Sequence, residues 1–201
     1  IITLDFETFW DTDYTLSKLS PLEYVMDDRF ELISCAIKVN NARTRIVFGA
    51  NVAKALALID WRKTAALGHN MSAFDAYIME YRLHIRPKMW LCTLAMARPI
   101  HAKDVGLGLG KLVAHYKLGV KDNSVLMQTK GRRLADFTAD EIARMRTYNG
   151  EDADQCYALF QILKQHYNAA ELWQIDALAR LRTEPAFELD FGLLDVALSV
   201  E

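Results

Sequence analysis

Asp5, Phe6 and Glu7 set two carboxylates two positions apart. In a strand, residues i and i+2 share a face, so both acids point one way and Phe6 the other. Such a pair offers oxygen ligands suited to a hard divalent cation; a solvated strand end would carry the same residues. A second acid, Asp75, closes the segment Asn70-Met71-Ser72-Ala73-Phe74-Asp75, which follows the apolar run 65–67 and a Gly68-His69 turn. It falls in the first turns of an expected helix, where the helix dipole favours a carboxylate. Ser72 and Asp75 also have the spacing of a capping box, a structural use of the same residues. The third group is Tyr148-Asn149-Gly150-Glu151-Asp152. On a helix, i and i+4 share a face, so the Tyr148 hydroxyl and the Asp152 carboxylate look toward one volume. Cys156 and Leu163 continue that face into the core. A carboxylate on the buried side of a helix is costly without a cation or hydrogen bonds. Asp154, about 200° round the helix from Asp152 and the acids it would have to join, is expected in solvent. Tyr24 and Asp28 repeat the tyrosine spacing, but in a Pro21-containing stretch ahead of the second motif, and are read as coincidence.

The elements that must position these groups follow from periodicity. Residues 1–6 alternate as a strand, and 11–28 read as a loop. Two β-rich runs, 32–39 and 44–48, flank Asn40-Asn41-Ala42; asparagines tolerate positive φ, so a hairpin is expected. Asn51 is placed to cap a helix reaching about Lys63. A buried strand at 65–68, a helix from Ser72 to about His84 and a short strand at 89–92 come next. Helices are expected at 93–97, 107–117, 139–147, 148–166 and 168–182. Together these predict an α/β domain with a mixed sheet flanked by helices. Composition shifts at Thr183-Glu184-Pro185. The stretch beyond it, strand-like over 186–191 and helix-like after, is too short to bury its own faces. We therefore expect one domain over residues 1–182 and, in 183–201, a lead into something further. The chain opens without methionine, and both ends are expected to be cut ends.

Lys and Arg number 24 against 26 Asp and Glu, a net charge of −2. Nucleic-acid binding by bulk positive charge is thereby disfavoured, whereas a site that gathers carboxylates around metal is not. Three widely spaced cysteines without a CxxC pair exclude a disulfide framework or a zinc knuckle and fit a reducing cytoplasm. Acids at positions 5, 7, 11 and 13 exclude a signal peptide, and the apolar runs are far too short to cross a membrane. Gly106-Leu107-Gly108-Leu109-Gly110-Lys111 fits neither GxGxxG nor GxxxxGK[ST] and is read as the lead into a helix. Lys130-Gly131-Arg132-Arg133 is the one compact basic run. It suits phosphate contacts or a solvated loop.

Taken in order, Asp-x-Glu, Asn-x-x-x-Phe-Asp and Tyr-x-x-x-Asp resemble the three motifs of the DEDD 3′–5′ exonuclease superfamily. The surrounding text, TLDFET, GHNMSAFDAYI and YNGEDADQCYALF, looks like the proofreading domain of phage-type family A DNA polymerases. None of the five histidines has an aspartate five positions on, so the tyrosine subtype is the one resembled. The resemblance implies a ribonuclease H-like fold in which Asp5, Glu7, Asp75 and Asp152 hold two Mg²⁺ or Mn²⁺ ions. Asp5 would bridge the two, Glu7 and Asp152 would complete the first, and Asp75 would serve the second through water. Tyr148 would position the attacking water, and the product would be a nucleoside monophosphate. It further implies a single-stranded or frayed DNA 3′ end as partner, with Thr8 and Phe9 against the terminal base. Phe9, Trp10 and Tyr14 would offer stacking surfaces or simply pack, Asn70 would be a motif residue, and Arg132 and Arg133 would contact phosphates. His69 is expected to hydrogen-bond its own turn. A polymerase domain would follow residue 201, and a phage-encoded chain would work in the host cytoplasm. A free-standing ribonuclease D-like enzyme acting on RNA and a catalytically silent binding module are the alternatives.

Overall fold

The computed structural model describes residues 1–120, 128–185, 187 and 189–199. Five strands, β1 (Ile2–Thr8), β2 (Leu32–Val39), β3 (Arg45–Phe48), β4 (Ala65–Gly68) and β5 (Met89–Cys92), form one sheet. Their order is β3-β2-β1-β4-β5. β1 pairs antiparallel with β2 and parallel with β4, so the sheet is mixed and β1 lies at its centre. The Asn40-Asn41 hairpin forms as expected: Asn40 takes φ 46°, and the Ala42 N–H closes the turn on the Val39 carbonyl at 2.9 Å.

Alternation along the inner strands builds a layer on each face. Ala66 and Trp90 pack with Leu4, Phe6, Met71 and Ile78 on one side. Their neighbours Leu67 and Leu91 pack on the other with Met96, Leu112, Leu159 and Phe160. The second layer consists of α4 (Thr93–His101), α5 (Leu109–His115) and the long α6 (Ala139–Leu163). α6 opens with a complete capping box, Thr138 with Glu141. α7 (Ala169–Thr183) and α8 (Phe191–Leu198) follow. No helix among the described residues is long and apolar enough to cross a membrane.

Several local expectations need correction. The 11–28 stretch contains a helix, α1 (Pro21–Met26), set by a Ser20–Glu23 capping box with proline at its first position. α2 covers only Asn51–Ala57; Ala50 is its cap and makes no side-chain bond, and Trp61–Lys63 forms a separate 3₁₀ turn. The helices expected at 139–147 and 148–166 are one, because the Asn149 amide is satisfied across the core rather than by its own backbone. The helix expected over 72–84 is broken into a 3₁₀ turn (Met71–Ala73), the single-turn α3 (Asp75–Tyr77) and a π turn (Ile78–Arg82). In the tail, Ala186, Glu188, Val200 and Glu201 lie outside the described residues, and Phe187, Leu189 and Asp190 form no strand.

α7 is fastened to the sheet by a buried acid. Asp176, 1% exposed, accepts the Trp90 N–H at 2.6 Å and pairs with Arg180 at 3.0 Å. Arg180 reaches on to Glu184 and to the Pro87 carbonyl. Removing Asp176 leaves the buried Trp90 N–H without its acceptor and takes from Arg180 one of its two carboxylates. Asp176→Ala should therefore cost about 3 kcal/mol. That loss should be read as a lower urea midpoint at unchanged slope. A variant as stable as the parent would mean that apolar contacts alone hold α7.

Candidate metal centre

β1 and β4 pair only at Ile2–Ala66 and Thr3–Leu67, then part. The acids of β1 lie just past that point, at the carboxyl end of two parallel strands, the usual place for a site in an α/β sheet. Asp5 and Glu7 are half-buried and flank the buried Phe6, as the period of two requires. A bulge between Glu7 and Thr8 ends the regular pairing with β2. From the opposite direction α6 brings Asp152 and Tyr148, both buried. One ligand oxygen from each of Asp5, Glu7 and Asp152 lies within 4.8 Å of the others. Three hard oxygen donors at that spacing suit a divalent cation. Asp75 lines the same cavity outside this group of three, 3% exposed, and accepts the Phe6 N–H at 3.3 Å.

The turn that delivers Asp75 depends on its smallest residue. A Cβ on Gly68 would stand 2.7 Å from the Met71 Cε, 3.3 Å from an Asp75 oxygen and 3.4 Å from the Leu4 carbonyl. Asn70 then takes φ 68°, the left-handed region that asparagine tolerates. The expected Ser72–Asp75 capping box is absent: Phe74, with φ −149°, precedes α3 and makes no side-chain cap. Asp75 is thus used across the core rather than on its own helix. Burial, then the charge of Asp5, hold its carboxyl well above the usual carboxylate range. Burial, then Glu7 and Asp152, likewise push the Tyr148 phenol far up, and its hydroxyl bonds to Asp152.

Two positioning groups had no assigned role in the sequence. Asn149, fully buried, donates to the Asp5 backbone carbonyl at 3.0 Å and to the Asp5 carboxylate at 2.6 Å, while accepting from Ser34 at 3.0 Å. It fixes the first acid to the helix that carries the last one. Its signal was available: an amide beside Tyr148 on an inward-facing turn needs a buried partner. Tyr24, dismissed as coincidence, lines the cavity. Its hydroxyl donates to the Phe9 carbonyl at 2.5 Å and so accepts from Thr8, 2.8 Å away. His69 reaches well beyond its own turn. Nε2 donates to the Leu107 carbonyl at 3.0 Å and Nδ1 meets the Thr93 hydroxyl at 2.9 Å, tying three separate segments together.

The cavity, about 520 Å³, is walled by Thr8, Trp10, Tyr24, His69, Asn70 and Phe74 around the acids. Phe9 is not among its walls. It is buried, stacked toward Tyr14 at 5.9 Å, and covered by the Arg133 guanidinium at 4.4 Å. Tyr14 is wholly buried against Tyr24, with ring centroids 4.2 Å apart. Neither ring offers an open face, and Trp10 is the member of that trio which reaches the cavity. Arg132 and Arg133 are also away from it, because each already has an acid: Glu141 takes Arg132 and Glu31 takes Arg133 at 2.7 Å. Of the basic run, Lys130 comes nearest, over the Trp10 ring at 5.6 Å. Gly108 caps α5 with no side-chain bond, in keeping with the reading of 106–111 as a helix lead.

No protein-family model matches the sequence, and no curated protein does. Solved structures do. Brucella melitensis NrnC with bound Mg²⁺ superposes with a TM-score of 0.67 at 14% identity, over 91% of this chain and 83% of that one. The catalytic core of Trypanosoma brucei RRP6 gives 0.65 at 16% identity, over 94% and 48%. Escherichia coli RNase D, an exoribonuclease involved in structured RNA processing, gives 0.61 at 14% identity, over 92% and 45%. Identities this low speak to architecture alone: the chain has the ribonuclease H-like α/β fold of the DEDD 3′–5′ exonucleases.

Proposed function

We propose that the chain is a metal-dependent 3′–5′ exonuclease that hydrolyses phosphodiesters at single-stranded 3′ ends, with RNA as its substrate class. The observation that carries the chemistry is the convergence of Asp5, Glu7 and Asp152 oxygens within 4.8 Å at the foot of an aromatic-walled cavity. RNA as substrate is supported by the solved neighbours, of which RNase D is an exoribonuclease. A second reading, proofreading of DNA beside a polymerase domain, is favoured by the phage-polymerase-like text of the three motifs, and the comparisons lend it no support.

Asp5, Glu7 and Asp152 would hold one Mg²⁺ or Mn²⁺, and Asp75 would serve a second through water. Bound there, the ions supply an activated water and a stabilised leaving oxygen. The residues of the chain do the rest. Asn149 keeps the Asp5 carboxylate oriented. The Tyr148 hydroxyl stays protonated at every physiological pH, so it orients water and does not act as a base. Tyr24, Trp10 and Phe74 offer aromatic walls for an unpaired base.

The deciding experiment is incubation with end-labelled single-stranded RNA and DNA, with Mg²⁺, with Mn²⁺ and with chelator. We expect stepwise shortening from the 3′ end of RNA that requires metal. Exclusive attack on DNA, faster at mismatched than at matched 3′ ends, would transfer the assignment to proofreading. Cleavage of circular strands would sink the exonuclease reading. In the same assay Asp5→Ala and Asp152→Ala should each lose activity by about a thousandfold or more with the fold intact. Either variant working at the parental rate would remove the residue from the site. Tyr148→Phe should slow hydrolysis by roughly tenfold to a thousandfold with metal affinity unchanged. Weaker metal binding at a parental rate would make Tyr148 a support for the acids.

Asp75 gives a pH test in the absence of metal. Its carboxyl titrates higher in the fold than in the unfolded chain. The stability it contributes is therefore complete below about pH 4 and drains away as pH rises through the raised folded value. In chelator, Asp75→Asn should melt higher than the parent at pH 7.5, with the gap closing as pH falls toward 4. Mg²⁺ should raise the parental melting temperature more than that of the variant. A variant less stable than the parent at pH 7.5 in chelator would contradict this account.

A further inference from the structure

A cavity of about 780 Å³, larger than the one that holds the acids, lies elsewhere on the molecule. It is a groove between the β2–β3 hairpin and the side of α6 turned away from Tyr148 and Asp152. Three arginines line it, Arg43 and Arg45 from the hairpin and Arg146 from the helix, all exposed. Among the described residues Arg43 and Arg45 have no ion pair, in a chain whose net charge is −2. Arg146 is pinned in place: one of its nitrogens donates to the Ile46 carbonyl at 3.1 Å, and its guanidinium lies 5.1 Å from the Phe48 ring centroid. That leaves most of its five N–H donors for other acceptors. Of the two acids lining the groove, Asp154 is already taken by Lys38 at 2.8 Å and by the Thr44 hydroxyl at 2.5 Å. Three cations thus line the groove with one acid, Glu151, outside any ion pair among the described residues, so an anion entering it would meet little competition.

The floor of the groove points the same way. Gly150 sits in the middle of α6, although glycine is the poorest helix former after proline. Packing does not require it. A Cβ there would meet only Ile46, at an ordinary 3.6 Å. A bare backbone keeps the groove deep where a longer side chain would fill it.

We infer that this groove is a phosphate-binding exosite for nucleic acid, taking the body of the strand whose 3′ end enters the metal centre. The inference rests on the exonuclease reading for the identity of that strand. Gly150 lies two residues and about 200° round α6 from Tyr148, so the two sites share one helix wall. A helix with its side chains is about 10–12 Å across, about three nucleotides at the stacked rise of about 3.4 Å each, and the strand has to run round that width to reach both sites. A stacked dinucleotide is too short to do so.

The test uses Arg43→Glu/Arg45→Glu, with Arg43→Lys/Arg45→Lys as the charge-keeping control and Gly150→Gln as a neutral obstruction. Binding is followed by anisotropy of a labelled single-stranded oligonucleotide of roughly a dozen residues, in chelator, across a salt series. Losing two phosphate contacts should flatten the log–log salt slope by about 1.4 and weaken binding about tenfold at moderate salt. The lysine pair should keep the slope, and Gly150→Gln should weaken binding. With metal, the glutamate pair should lower kcat/KM on the same oligonucleotide about tenfold and leave dinucleotide hydrolysis unchanged. Parental binding and hydrolysis by the glutamate pair would overturn the exosite, as would an equal loss on the dinucleotide. Displacement of the oligonucleotide by polyglutamate as readily as by unlabelled strand of equal charge would overturn it in favour of an acidic protein segment. A parent that hydrolyses nothing would defeat the exonuclease reading, and the anisotropy series would still decide the groove.

Discussion

Everything in this molecule is arranged around the mutual repulsion of its converging acids. Two unit charges 4.8 Å apart repel by roughly 3 to 4 kcal/mol at an effective dielectric of about 20. Three such groups stand together, with buried Asp75 close by. Neutral clamps answer part of this. Asn149 grips the Asp5 carboxylate, the Phe6 N–H meets Asp75, and the Tyr148 hydroxyl meets Asp152. A cation among the acids would answer the repulsion without displacing any of these, whereas a nearby arginine would have competed with it. The central position of β1, hydrogen-bonded on both sides, makes the arrangement mechanically possible.

The two arginines of the basic run are engaged elsewhere. Arg132 and Arg133 are consumed by Glu141 and Glu31, and Arg133 also roofs Phe9. The stack of Tyr14 on Tyr24 makes a rigid aromatic buttress behind the cavity, and Lys130, on Trp10, brings a cation near the rim. On the proposed function, base recognition and metal chemistry would share one compartment. The arginine-lined groove proposed for the phosphate backbone lies on another face.

What could be read from sequence was whatever follows a period. The i, i+2 spacing of Asp5 and Glu7 and the i, i+4 spacing of Tyr148 and Asp152 put those side chains where the fold has them. The surroundings of Asp75 could not be read this way. Its helix is cut into three short turns by the left-handed Asn70 and the irregular Phe74, which leave no periodic trace. Asn149 and Tyr24 were passed over because their partners are 144 and 16 positions away, and His69, expected to bond its own turn, also reaches a carbonyl 38 positions on. The groups that engage Phe9, Arg132 and Arg133 are likewise invisible from local spacing. Helix α1 was missed for a different cause. Its signal is a capping box of two residues within a stretch dominated by polar and aromatic side chains.

The continuity of α6 has a consequence for how this protein can change. Each helical residue turns the chain by about 100°. Asn149 reaches Asp5 and Asp152 reaches the metal centre from the same two turns, while Arg146 and Gly150 face the groove. One residue inserted or deleted between Met145 and Asp152 would swing the later positions a quarter-turn or more and would break both surfaces at once. Substitutions can explore that stretch one side chain at a time; changes of length cannot. The helix acts as a fixed ruler, so drift in this segment is confined to residue type.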